Sequence, residues 1–433
     1  MLSTPLIILV QSWHTHELAD DANEPCHSLP ATPMIMRGNT ASKDDSELSS
    51  APTSPVSLSQ LAWLFLKLGS ISFGGPAAHI AMMEEEIVRR RRWLTTDEFL
   101  DLLGATNLIP GPNSTEMAIH IGHRKAGWPG LFVAGSCFIL PAALIVSVAG
   151  WAYVRYGSLP ETSAILYGVK PVIIAIILQA LWRLGTTALK NGALVLVGIT
   201  GVILVYLGVH ELAIIFGGGA VTALARLQAK WKQRGVQDKY SIVLSAPLSL
   251  LAQQPVMASF GLWPLFLFFL KVGSVLFGSG YVLLAFLRAD LVERWHWLTE
   301  SQLLDAIAIG QMIPGPVFTT ATFIGFLLGG PEGALVATIG IFLPAFFFVA
   351  VSGPLVPRIR RSNLAGAFLD GVNAASLSLM AVVTWQLGRA AVVDWWTIAL
   401  LATSLILLMH YRLNSAWLVV GGALIGVTAS LIK

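Results

Sequence analysis

The sequence predicts an all-α polytopic membrane protein: two homologous repeats, inverted relative to each other, each with about five spans plus a broken or re-entrant Pro-Gly-Pro helical hairpin. Three observations lead there: a scarcity of charge, a long internal repeat, and a matching series of apolar runs in each half. Of 433 residues, 55% are hydrophobic and 12% are charged, against about 25% charged in soluble domains. Mean hydropathy is +0.71. An exterior so poor in charge is solvated by lipid, so the bilayer is the first partner expected. The formal net charge of +3 is too small and too dispersed for a nucleic-acid partner. Cys26 and Cys137 stand far apart in unlike settings, which excludes a disulfide framework or a zinc knuckle. Trp63, Trp93, Trp151, Trp263, Trp297 and Trp417 lie beside the ends of apolar runs, which suits an interfacial belt as well as core packing.

Residues 1–56 read as a disordered acidic tail, rich in Ser, Thr, Pro and Asp, with Arg37 and Lys43 as its basic residues. Its opening segment lacks a basic flank and a cleavage site, so it is not read as a signal peptide. His14, His16, Cys26 and His27 have a spacing that fits no known metal site, and neither metal nor cofactor is expected.

The repeat follows. The segment Phe65-Leu66-Lys67-Leu68-Gly69-Ser70-Ile71-Ser72-Phe73-Gly74 returns as Phe269-Leu270-Lys271-Val272-Gly273-Ser274-Val275-Leu276-Phe277-Gly278. In the same register Trp93-Leu94-Thr95 meets Trp297-Leu298-Thr299, Asp101 meets Asp305, and Ile109-Pro110-Gly111-Pro112 meets Ile313-Pro314-Gly315-Pro316. One deletion later Gly130 pairs with Gly333, Pro141 with Pro344, Gly168-Val169 with Gly371-Val372, and Trp182 with Trp385. Chance does not hold such a register, so the chain carries a duplication. The expected organisation is the tail 1–56, a first repeat 57–227, a basic cytoplasmic linker 228–260 and a second repeat 261–433.

Apolar runs cover 58–83, 97–122, 128–154, 163–184, 191–208 and 210–227, then 262–287, 301–328, 332–356, 366–388, 393–410 and 415–432. The second run of each half is interrupted by Pro-Gly-Pro, which cannot continue a helix. Non-helical backbone at membrane depth needs protein or a water-filled cavity around it. These runs are therefore read as hairpins with structural breaks at Pro110, Gly111, Pro112 and at Pro314, Gly315, Pro316. Five crossings per half then gather Arg89 to Arg92, Arg124, Lys125, Arg183, Lys190, the linker from Arg226 to Lys239, Arg358, Arg360, Arg361 and Arg412 on one side, which becomes cytoplasmic. Hairpins that crossed fully would instead leave the halves parallel. Inverted repeats mark secondary transporters with a site near the midplane. The expected location is the plasma (inner) membrane.

Intramembrane charge costs roughly 2.5–3.5 kcal/mol at the bilayer centre, so Lys67, Lys170 and Lys271 stand out inside apolar runs. Each either lines a polar cavity or is a snorkelling or carboxylate-paired lysine. The glycine-rich breaks at Ser72-Phe73-Gly74-Gly75-Pro76 and Phe277-Gly278-Ser279-Gly280 can start helices inside the membrane, where free N–H groups and the dipole suit an anion. Alternatively they are packing kinks. The candidate substrate-binding residues are Lys67, Ser72, Gly74, Gly75, Asn113, Ser114, Thr115, Lys271 and Gly278. The polar Asn113, Ser114 and Thr115 face Val317, Phe318 and Thr319 in the repeat, so the site is expected to be asymmetric. Glu116, matched by Thr320, is the candidate coupling group, with neutralisation of Lys67 or Lys170 as its alternative role. His120 lies one turn on. Glu84 to Glu86 with Arg89 to Arg92 form a juxtamembrane cluster, a solvated helix end or an anion-attracting vestibule. No His-Glu-x-x-His, Cys-x-x-Cys or Walker A loop is present, which argues against an enzyme and against a nucleotide-driven pump.

Phe73-Gly74-Gly75-Pro76-Ala77-Ala78-His79, then Arg91-Arg92-Trp93-Leu94, then Pro110-Gly111-Pro112-Asn113, at these spacings, resembles the chromate ion transporter family in its long, two-domain form. The resemblance covers residues 58 to 433 and leaves the tail outside. It implies export of chromate through an anion path that also admits sulfate, both being tetrahedral dianions of similar size. It also implies functional weight for the Gly-Gly-Pro and Pro-Gly-Pro segments and for Lys67. Uptake or exchange of sulfate or another oxyanion stays open as an alternative, as does a passive anion channel. An oligomer is compatible with the sequence.

Overall fold

The computed structural model describes residues 56–157, 159–233, 259–277, 280–360, 362–411 and 413–432. The tail, most of the linker, and Gly278 lie outside the described residues. Fourteen α-helices and no strand occur among the described residues, seven from each repeat. The first half comprises α1 (Leu58–Ile71), α2 (Gly75–Glu84, continuing as a π-helical stretch Glu85–Arg90), α3 (Thr96–Thr106), α4 (Asn113–Tyr156), α5 (Pro160–Ala188), α6 (Gly192–Tyr206) and α7 (Glu211–Gln233). The second comprises α8 (Leu262–Val275), α9 (Leu283–Phe286, continuing as Leu287–Arg294), α10 (Glu300–Met312), α11 (Thr320–Arg360), α12 (Asn363–Ala391), α13 (Trp395–Met409) and α14 (Ser415–Ile432). Five of the described helices, α4, α5, α7, the α11 helix with its lead-in turn, and α12, are long and apolar enough to cross a membrane.

The all-α, two-repeat class is as read from the sequence. One detail within it differs. The run 58–83, expected to span, instead folds back on itself at Ser72–Gly74: Lys67 meets Glu86 at 2.8 Å, and His79 Nε2 lies 3.2 Å from the Ser72 carbonyl oxygen. With 14 residues, α1 is about 21 Å long at 1.5 Å per residue, too short for a core of about 30 Å. The second run also turns back, at Pro-Gly-Pro. Arg124 reaches Glu98 at 3.2 Å across its arms, and Asn113 donates to Asn107 at 2.9 Å beside its tip. Gly111 and Gly315 take φ of +140° and +105° there, a region that L side chains rarely adopt. Each half therefore opens with two re-entrant hairpins.

Helix α4 itself reverses at Ala126 and Gly127, where the backbone leaves helical angles, and α11 does the same at Gly329 and Gly330. Each short arm lies against its long arm. Gly122 packs on Gly130, Gly325 packs on Gly333, and Thr322 and Thr338 share a 2.7 Å hydrogen bond. The long arms, 128–156 and 331–360, run antiparallel. Phe132 stacks on Phe346 with ring centroids 5.9 Å apart, and Tyr153 meets Phe323 at 5.4 Å. Helices α5 and α12 are also antiparallel: Ile174 faces Gly388 and Leu377 faces Gly185, two contacts that the repeat maps onto one another. Equivalent helices running in opposite directions make the repeats inverted. The hairpins of the first half enter from the face bearing Arg89 to Arg92, Arg124 and Lys125, called here the basic face, and those of the second half enter from the other.

The halves are interlocked. Helices α13 and α14 pack on α5, and α6 and α7 pack on α12, so each half completes the other's bundle. The crossings are made by glycine. Gly168 lies against Gly422 and Gly426, and its repeat partner Gly371 lies against Gly218. Helix starts are capped at equivalent places: Thr95 and Thr299 each accept from the N3 backbone while Glu98 and Gln302 reach back. Thr95→Ala and Thr299→Ala should each lower stability by about 0.5–2 kcal/mol, read as a lower melting temperature in detergent.

Candidate functional site

The tips of the four hairpins meet inside the molecule and are tied across the halves. The Gly111 N–H donates to the Leu276 carbonyl at 2.7 Å, and its repeat equivalent, the Gly315 N–H, donates to the Ser72 carbonyl at 2.8 Å. Proline explains why these groups are available. A helix that ends before Pro-Gly-Pro leaves carbonyl and amide groups unpaired, and each tip satisfies them on the opposite tip.

Beside this junction is a cavity of about 330 Å³. Gly74, Pro76, Ala77, Pro112, Asn113 and Ser114 line it from the first half's tips, and Gly280, Tyr281, Val317 and Phe318 from the second half's. Gln179, Arg183 and Thr187 line it from α5, and Ser415 from the start of α14. The starts of α2 and α4 both border the cavity without a side-chain cap, Gly74 and Pro112 being the capping residues. Their free N–H groups and positive dipole ends suit an anion. Arg183 adds a full positive charge. Its side chain has no carboxylate partner among the described residues, and the residue is exposed.

A second cavity of about 370 Å³ shares Leu184 and Thr187 with the first. It is lined by Asn107, Lys190, Asp370, Asn373 and Ser376, and Lys190 pairs with Asp370 at 2.9 Å. Lys190 follows the end of α5 on the basic face, so this cavity joins the central one to that face. The positions matching Asn113, Ser114 and Gln179 are Val317, Phe318 and Val382, so the second half sets apolar side chains where the first has polar ones. A larger cavity of about 540 Å³ between the long arms of α4 and α11 is lined almost wholly by apolar side chains and carries no charged residue.

Of the residues singled out in the sequence, Gly74, Asn113 and Ser114 come together on the wall of the central cavity. Gly75 adjoins Gly74, and Tyr281 is the nearest side chain to it from the other half. Ser72 and Thr115 are buried, with hydroxyls unpartnered among the described residues. Lys67 and Lys271 stand apart, at the flanks of their hairpins, each tied to a carboxylate. Lys67 holds Glu86 at 2.8 Å, and Lys271 holds Asp290 at 2.5 Å. Lys170 is paired with Asp305 at 2.8 Å. Glu116 is fully buried one turn into α4, packed against Gly111, and neither carboxylate oxygen has a partner among the described residues. His120 Nε2, one turn further, is likewise unpartnered. In the second half Thr320 replaces the carboxylate and donates to the Val317 carbonyl at 2.8 Å.

Arg183, Gln179 and Tyr281 were not anticipated as site residues. Arg183 looked like one more charge at a helix end. Its repeat partner is Gln386, an asymmetry of the same kind that marked Asn113 and Glu116, and that signal was present in the sequence.

Comparisons with known proteins show the family. A family model described as chromate transporter matches twice, over residues 59–223 and 263–427. The chain is 33% identical over 399 residues to a chromate transport protein of Cupriavidus metallidurans, covering 89% of this chain and 97% of that protein. It is 32% identical to a probable chromate transport protein of Synechococcus elongatus, covering 78% and 86%. It is also 32% identical to a chromate transport protein of Pseudomonas aeruginosa, covering 80% and 85%. No solved structure matches the chain.

Proposed function

Because the chain belongs to the chromate transporter family, we propose that this multi-pass membrane protein is a secondary transporter that exports chromate, driven by an ion gradient. The observation that supports this reading best is the central cavity, where uncapped helix starts converge beside Arg183. A tetrahedral dianion needs several donors arranged around it, and Arg is suited to oxyanions through its planar fork. Asn113, Ser114, Gln179 and Tyr281 supply neutral groups around the same space. The cavity opens toward the basic face, which the positive-inside rule makes cytoplasmic. An anion leaving the cytoplasm of a cell bounded by this plasma membrane would enter there.

Glu116 is the group proposed to exchange the coupling proton. An intramembrane carboxylate is functional by default, and this one is committed to no ion pair among the described residues. Glu116→Gln keeps the shape and removes the titration. It should flatten the pH dependence of transport while leaving protein yield unchanged, and a wild-type pH profile in this variant would end the coupling role.

Sulfate is the second candidate cargo, since its shape and charge satisfy the same donors. The test is uptake of labelled chromate by everted vesicles, with and without an energising gradient, with sulfate as competitor. Gradient-dependent uptake suppressed by sulfate is the expected result. Vesicles rich in folded protein that take up sulfate but no chromate would reassign the cargo, and uptake indifferent to any gradient would make the protein a channel.

A further inference from the structure

We propose that Glu116, His120 and His123 form a proton wire along the short arm of α4, which carries the proton released by Glu116 to the basic face, apart from the anion's route. The proposal rests on the reading of Glu116 as the coupling group and deepens it, by supplying the path that a buried carboxylate needs.

The wire is built into one helix face. Spacings of four and seven residues put His120 and His123 within about 60° of Glu116 around the helix axis. Cβ atoms one turn apart are about 5–6 Å from each other, a gap that a carboxyl and an imidazole bridge directly or through one water. From Glu116 to His123 the arm rises about 10 Å. The other faces of the arm are committed to packing. Ile119 and Gly122 meet Gly135 and Gly130 of the long arm, and Met117, Ala118 and Ile121 join the apolar cluster with α1 and α2.

The polar atoms on this stripe are left open. Both Glu116 oxygens and His120 Nε2 are buried without a hydrogen-bond partner among the described residues. Glu116 is 0% exposed and His120 8%. No charged side chain of another helix acts on either among the described residues, and the titratable neighbour of His120 is His123. His123 is partly exposed beside Trp128 and is followed by Arg124 and Lys125, with Glu98 paired to Arg124. The arm then ends at the Ala126–Gly127 reversal. An empty buried ring nitrogen is costly in a purely structural role, whereas chains of Glu and His carry protons in transporters.

The repeat supplies the contrast. The equivalent arm, 317–328, carries no titratable residue. The wire therefore belongs to the hairpin that enters from the basic face. Proton-coupled export requires the proton on Glu116 to leave on the face from which the anion comes. The anion arrives through the cavity beside Lys190 and Asn373, and the proton goes by the arm of α4, so neither blocks the other. In each transfer Glu116 gives its proton to one ring nitrogen of His120. The ring releases the proton on its other nitrogen toward His123 and the water at the basic face, then turns back to its starting tautomer. Glu116 is left as a carboxylate.

The test separates proton release from anion movement. Everted vesicles, with the basic face outward, are assayed for labelled chromate uptake driven by an acid interior, with sulfate in its place should that be the cargo. The same vesicles are assayed for counterflow, in which labelled anion exchanges for unlabelled anion with no gradient and no net proton release. His120→Phe should lower gradient-driven uptake roughly tenfold or more and leave counterflow near the unmodified rate. His123→Gln should slow gradient-driven uptake less, because water reaches that position. Unchanged gradient-driven uptake in folded His120→Phe protein would overturn the wire, as would equal loss in both modes, the mark of structural damage. If the Phe variant does not fold, His120→Gln is read by the same two outcomes. Glu116→Gln in the same assay keeps the two ideas apart. If it retains gradient-driven uptake, the coupling role fails and the wire falls with it. If it loses that uptake while His120→Phe keeps it, the wire alone is wrong.

Discussion

Arg183→Gln should raise the KM for chromate in everted vesicles by roughly ten- to 150-fold, with normal protein yield. The magnitude corresponds to about 1.5–3 kcal/mol for hydrogen bonds that involve a charged group. The prediction depends on what Arg183 touches. It borders the central cavity and has no carboxylate partner among the described residues, so its removal strands no buried anion. Arg183→Lys keeps the charge but loses the planar fork, and should recover only part of the affinity. Lys67→Ala should behave oppositely. Glu86 is 11% exposed in its side chain, and Lys67 is its closest cation, so that variant should yield less protein with an unchanged KM in what survives. A wild-type KM in Arg183→Gln, with Lys67→Ala raising KM at full yield, would move the anion site to the hairpin flanks.

Gly168→Leu and Gly371→Leu should each abolish the folded protein. A Cβ at Gly168 would stand 2.0 Å from the Gly422 carbonyl oxygen, and one at Gly371 would stand 2.4 Å from that of Gly218. Both clashes are with backbone, which cannot rotate aside. Overpacking ordinarily costs about 1–3 kcal/mol where neighbours can yield, and here two helices must separate along their crossing. Size-exclusion profiles in detergent should show aggregate in place of a single peak. Gly192→Ala and Gly366→Ala meet nothing within 4 Å and should elute as the unmodified protein does. A monodisperse Gly168→Leu peak would contradict the close approach of α5 and α14.

The repeat, the all-helical class and the Pro-Gly-Pro reversals were legible because duplication and proline leave marks in local sequence. The reversal at Ser72–Gly74 was not. Its glycines and proline signalled a break, but a break that kinks a span and one that turns it back have the same composition. That ambiguity also hid the partner of Lys67. Glu86 sits 19 residues on, and the two meet only once α1 and α2 are antiparallel. Arg183 was hidden for a different reason. Its cavity neighbours Tyr281 and Asn113 come from different halves, brought together by backbone bonds between hairpin tips that no side-chain pattern encodes. Glu116 was conspicuous because a carboxylate inside an apolar run is rare, and rarity needs no tertiary information.

The exchange of terminal helices between halves bears on how the chain is made. Helix α5 leaves the ribosome early, yet its Gly168 is covered by α14, which belongs to the far end of the second repeat. The first half therefore waits in the bilayer with Gly168 unmatched until α14 has been made. Long-range closure of this kind is slow, and a half-covered helix is open to wrong partners meanwhile. Completion of the second repeat, rather than of the first, is thus the clock of assembly. A stop codon before α14 would injure the beginning of the molecule more than its end.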